Sequence, residues 1–126
     1  SSLSPNTGAL TLPATAISRD PAVVGAYERD PLVHHGAIPA RTIVELLQAM
    51  AAFPASVPGL RIPVLVQHGT ADTLVPLSAT RPIYDMLGQS KARTLRIYEG
   101  LFHEIYNEPE RDRVIADLAA WLEAHR

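Results

Sequence analysis

The 126-residue chain contains no cysteine. That excludes a disulfide framework, a thiol nucleophile and cysteine-based metal sites. An excess of charge of one sign is missing too. Eleven Lys and Arg stand against 13 Asp and Glu, a formal net charge of −2. Such a balance gives no electrostatic footing for nucleic acid. No apolar run approaches the ~20 residues of a membrane span. What is present is 47% hydrophobic residues with modest charge, the composition of one small globular domain rather than a disordered tract. There is no internal repeat and no low-complexity segment. The expected location is the cytoplasm or the periphery of a membrane.

Residues 1–18, punctuated by proline and glycine, read as loop. Residues 19–31, RDPAVVGAYERDP, form a short helix between two Asp-Pro pairs: Pro21 suits a first helical position, and Pro31 pushes Asp30 out of the α region. VHHGAIPA is a connector. From Thr42, the residues Ile43, Leu46, Leu47 and Met50 share one helix face. FPASVPGLRIP breaks that helix. VLVQHG then runs apolar and β-branched without alternation, the pattern of a strand covered on both faces in a parallel sheet.

A third helix is expected over LSATRPIYDMLG. Its start is placed near Thr80 so that Pro82 falls in the first turn, and Gly88 serves as its C-terminal cap. TLRIYEG is the second strand. The last helix is read as capped by Asn107, with Glu110 as the capping-box partner. Val114, Ile115, Leu118, Trp121 and Leu122 form its buried stripe. The order strand, helix, strand, helix implies two parallel strands joined by a right-handed crossover.

In an open parallel sheet, functional groups gather beyond the carboxyl ends of the strands. Asp72 lies four residues past His68, at the end of the first strand; His103 lies three past Gly100, at the end of the second. Adjacent parallel strands run ~4.8 Å apart. The two loops therefore emerge side by side, and the carboxylate can bond the imidazole. It would hold the Nδ1–H tautomer and stabilise the imidazolium formed when Nε2 takes a proton.

Aspartate before histidine on successive strand ends is the order found in α/β-hydrolases, whose serine nucleophile precedes both. PVLVQHGTADTLVP followed by RIYEGLFHEIYNEPERDRV resembles the C-terminal portion of the monoacylglycerol lipase / lysophospholipase group of that fold. ISRDPAVVGAYERDPLVHHGAIPARTIVELLQA resembles the end of that group's cap and the helix after it. The resemblance runs from about Ile17 to the C-terminus. It implies that Asp72 is the triad acid, that His103 is the triad base and that Val75 lines the substrate tunnel.

The G-x-S-x-G elbow that carries the nucleophile in this fold is absent from the sequence. GQSKA lacks the final glycine and lies between a helix and a strand, so Ser90 reads as a turn residue. The oxyanion-loop motif is absent as well. By resemblance, residues 1–37 are the tail of the cap or lid, and residues 38–126 are the C-terminal part of the hydrolase core. The N-terminal half, with its elbow, is then expected upstream. Two parallel strands cannot stand as a sheet alone, so the isolated chain is expected to be aggregated or molten and inactive.

The remaining histidines read as structural. His68 packs at the strand end, His34 and His35 form a connector pair, and His125 is terminal. Glu104 and Glu108 are read as bonding backbone near the histidine loop, and Tyr98 and Trp121 as core. Val23, Val24 and Leu32 fit either core or a lipid-facing cap surface.

The function implied is carboxylic-ester hydrolysis through a serine acyl-enzyme, on monoacylglycerol or lysophospholipid. No cofactor and no metal is required. The partners implied are the missing N-terminal half, on the same or a separate chain, and a lipid ester, with peripheral membrane contact through the cap left open. Two alternatives share these residues: a truncated, non-catalytic binding or dimerisation module, and another hydrolase of the fold (haloalkane dehalogenase, epoxide hydrolase or peptidase).

Overall fold

The computed structural model describes residues 8–88 and 90–126. Its centre is a parallel pair of strands, β3 (Val64–Gly69) and β4 (Arg93–Tyr98), in unbroken register from Val64 opposite Arg93 to Gly69 opposite Tyr98. They are joined by α4 (Leu77–Met86), the expected crossover. The closing helix α5 (Arg111–Ala124) is tied to β4 by Trp121 Nε1 donating to Thr94 Oγ1 at 3.1 Å and Tyr98 OH donating to Asp117 Oδ2 at 3.0 Å. A compact core forms from Tyr98, Leu101, Ile105 and Val114. Among the described residues, neither strand has a further neighbour in its sheet.

The N-terminal region is less loop-like than its composition suggests. A short strand β1 (Gly8–Leu10) pairs antiparallel with β2 (Ile38–Pro39). A 3₁₀ turn follows at Ala14–Ala16. Two or three residues of pairing leave no periodicity to detect, which is why this stretch reads as loop and connector. The expected loop at residues 1–7 lies outside the described residues. Helix α1 (Pro21–Arg29) forms as its Asp-Pro frame requires, with the Asp20 carboxylate accepting from the Ala22 amide at 2.8 Å.

Helix α2 (Ala40–Ala51) carries the expected apolar face, but Leu46, Leu47 and Met50 remain exposed. The break after it folds into a short helix α3 (Phe53–Ser56) and a 3₁₀ turn at Val57–Gly59.

Three local readings need correction. Helix α4 begins at Leu77, not near Thr80, so Pro82 sits in its interior. Tertiary contact overrides the local cost: the helix lies against β3, and Thr80 Oγ1 reaches His68 Nδ1 at 3.1 Å. Gly88 directly follows the C-cap Leu87 but does not take the left-handed conformation of a glycine cap; the Leu87 amide bonds Tyr84 O and its side chain is buried.

The last helix starts at Arg111, beyond Asn107. The Asn107 amide instead donates to Glu104 Oε2, Glu110 engages Arg19, and Ile105–Asn107 is a separate 3₁₀ turn. Of the expected stripe on α5, Val114 is fully buried, whereas Ile115 and Leu122 are exposed, because a two-stranded sheet covers only part of the helix.

Candidate active site

The turns that follow β3 and β4 are bonded to each other. Thr70 N donates to Tyr98 O at 2.9 Å, Ala71 N to Leu101 O at 3.0 Å, and Gly100 N to Thr70 Oγ1 at 2.8 Å. Two glycines permit this approach. A Cβ on Gly69 would stand 2.2 Å from the Leu101 carbonyl oxygen, and Gly100 turns the chain at φ +76°. Asp72 and His103 are carried to the same edge by these turns.

Asp72 Oδ2 accepts from His103 Nδ1 at 2.8 Å. Its other oxygen, Oδ1, accepts from the amides of Leu74 and Val75, both at 2.9 Å. The Asp72 side chain is 4% exposed, the His103 side chain 39%. Burial is the largest single influence on the Asp72 carboxyl and pushes its pKa up; the Val75 amide, the His103 ring and the Leu74 amide together outweigh it and hold the carboxyl below its ordinary value. It is therefore an anion near neutral pH, which fixes His103 with its proton on Nδ1. Among the described residues, nothing bonds Nε2. An imidazole held this way has its free nitrogen available to take and return a proton.

His68 occupies the strand end and braces the acid's turn. Its Nε2–H donates to Val75 O at 2.9 Å, and the Thr80 hydroxyl donates to Nδ1 at 3.1 Å. Both ring nitrogens are thus engaged. Among the described residues no group of three His, Asp or Glu side chains is arranged to hold a metal ion. Thr80 was not singled out from sequence, and its helical position carries no signal of this contact.

A cleft of about 470 Å³ opens over Asp72, Val75, Thr80, His103, Ile105 and Tyr106. Val75 and Thr80 also line an adjoining apolar pocket of about 340 Å³ with Met50, Phe53, Ala79 and Ile83. The other polar candidates lie elsewhere. The Ser90 hydroxyl lies 2.7 Å from Ile62 O and 2.8 Å from Ala92 O. His34 bonds Ala37 O, His35 bonds Asp30 O, and His125 stacks on Trp121.

Residues 1–110 match the family described as serine aminopeptidase, S33. The chain belongs to that family. It is 39% identical over 123 residues to a monoacylglycerol lipase of Mycolicibacterium smegmatis, covering 98% of this chain and 44% of that protein. It is 28% identical over 120 residues to the human monoglyceride lipase, covering 94% of this chain and 39% of that one. The crystal structure of Paleococcus ferrophilus monoacylglycerol lipase superposes with a TM-score of 0.78 at 27% identity, over 93% of this chain and 46% of that one.

The chain thus spans less than half the length of these relatives. The fold is that of the α/β-hydrolases, and the sequence resemblance to the C-terminal portion of a monoacylglycerol lipase-like member holds. No helix among the described residues is long and apolar enough to cross a membrane.

Proposed function

We propose that this α/β-hydrolase chain supplies the acid and the base of a Ser-His-Asp triad that hydrolyses a carboxylic ester, with monoacylglycerol or lysophospholipid as substrate. The observation that carries the reading is the 2.8 Å bond between His103 Nδ1 and Asp72 Oδ2, with Nε2 left for proton transfer. The nucleophile comes from polypeptide outside these 126 residues, which contain no G-x-S-x-G. In this reading residues 1–37 are the tail of a cap and residues 38–126 belong to the core.

The serine hydroxyl attacks the ester carbonyl while His103 Nε2 takes its proton. The tetrahedral intermediate collapses, the carbon–oxygen bond to the alcohol breaks, and the imidazolium returns the proton to the leaving alcohol. Water then attacks the acyl-enzyme, again with His103 as base, to release the acid and the serine. Asp72 stabilises the imidazolium throughout. The apolar pocket beside Val75 supports an aliphatic substrate, and Val75 is assigned to its wall.

Fluorophosphonate labelling of the complete protein tests this. A labelled serine outside the chain, together with loss of turnover in Asp72→Asn and His103→Ala, is expected; His103→Ala should be as damaging as loss of the serine, because the triad acts as a unit. Labelling with undiminished turnover in both variants refutes it. Isolated, the 126-residue chain should melt without cooperativity and hydrolyse no ester. A complete protein with no labelled serine would favour the non-catalytic module.

A further inference from the structure

The proton transfer just described makes no use of Glu108, yet this residue is only 1% exposed. A carboxylate persists at such depth only when it is paired and hydrogen-bonded. Here Oε1 accepts from the Arg19 backbone amide at 2.6 Å, while Oε2 accepts from Arg19 Nε at 2.6 Å and from the Phe102 amide at 3.1 Å. Arg19 Nη2 reaches on to Glu110. Along the same seam, the Ser18 hydroxyl donates to Asn107 O at 3.0 Å and the Glu104 amide donates to Ile17 O at 2.8 Å.

The residues on both sides of His103 are thus tied down. Phe102 is held by Glu108, Glu104 by Ile17, and both ties involve residues 17–19, about 85 positions earlier in the chain. The exposed imidazole has its one hydrogen bond among the described residues to Asp72. Its placement therefore depends on where the backbone puts it.

We propose that Glu108, clamped by Arg19, is a positioning residue for His103: it fixes the Phe102–Glu104 backbone so that Nδ1 meets Asp72 and Nε2 faces the cleft. This rests on the triad reading above. It also gives the NEPER segment a role. Glu108 turns inward as the anchor, and Glu110 takes the second edge of the same guanidinium.

The test uses the complete enzyme, including its nucleophile-bearing segment. Glu108→Gln keeps an oxygen for the Phe102 amide but removes the charge that holds Arg19. The expected result is a kcat lower by about tenfold to a hundredfold, as for small misplacements of a reacting group. KM should be unchanged, and the downfield proton resonance of the His103 Nδ1–H···Asp72 bond should shift or broaden.

Should Glu108→Gln not fold, Arg19→Lys keeps the charge and loses the fork, and the same changes are expected to a smaller extent. A wild-type kcat per folded molecule and an unmoved resonance, in whichever variant folds, overturn the positioning role even if the melting temperature drops. A wild-type enzyme that lacks the resonance, or keeps its turnover in Asp72→Asn, overturns the triad and this inference with it.

Discussion

Replacing Asp72 with asparagine changes one atom in a site whose three hydrogen bonds are defined. The aspartate accepts two backbone amides on Oδ1 and the His103 Nδ1–H on Oδ2. An asparagine can keep its oxygen toward the Leu74 and Val75 amides, which leaves its NH₂ facing His103. The flipped alternative sets donor against donor at two amides rather than at one ring nitrogen, so the first orientation prevails. His103 must then present a lone pair at Nδ1 and carry its proton on Nε2, the wrong tautomer for a base.

In the serine-protease template this error lowers kcat by ~10⁴, or about 5.4 kcal/mol at ~1.36 kcal/mol per tenfold. Hydrolysis of a monoacylglycerol by the complete protein, measured at saturating substrate with the fold checked by circular dichroism, reads the effect. A folded Asp72→Asn enzyme within tenfold of wild type refutes the assignment of His103 as base.

Stability should fall in acid. The Asp72 and Glu108 carboxyls are both held below their ordinary values, in each case with burial as the largest influence and raising, outweighed by hydrogen bonds from Val75, His103 and Leu74 for Asp72, and from Arg19 and Phe102 for Glu108. Their stabilisation is present above the unfolded value of about 4 and is lost as pH falls through the lower folded values. The urea midpoint of the complete protein should drop below about pH 5, and Asp72→Asn should flatten that dependence; an equal slope in the variant contradicts it.

Gly69→Ala drives a Cβ into the Leu101 backbone at 2.2 Å. Overpacking of this kind costs about 1–3 kcal/mol. It should separate the two loops, so both melting temperature and turnover should fall; unchanged turnover counts against the close seam. Val114→Ala, at a fully buried position, removes two methyl groups' worth of apolar contact and should cost about 2 kcal/mol in denaturant unfolding, with little change in kcat per folded molecule.

The two strands, and the places of Asp72 and His103 past their ends, were legible in the sequence because each signal is local: a short β-favouring run (VLV in β3, TLRIY in β4), then a glycine turn, then a polar side chain. Helix α1 was legible through its Asp-Pro frame. What escaped depends on partners distant in sequence. Helix α4 starts three residues earlier than its proline suggests and sets Thr80 against His68, a contact that no helical periodicity encodes. Glu108 bonds backbone beside the histidine loop, as read, at the Phe102 amide, but its burial under Arg19, 89 positions away, has no local signal. Ile115 and Leu122 fit an amphipathic stripe, but a stripe specifies only that a face is apolar, not that a neighbour covers it. The substrate is legible only through relatives.

Every hydrogen bond given to Asp72 originates between residues 74 and 103, inside this chain. The carboxylate is thus oriented by its own turn as well as by the imidazole, so an insertion or deletion between residues 72 and 75 would unseat Asp72 even with His103 left in place.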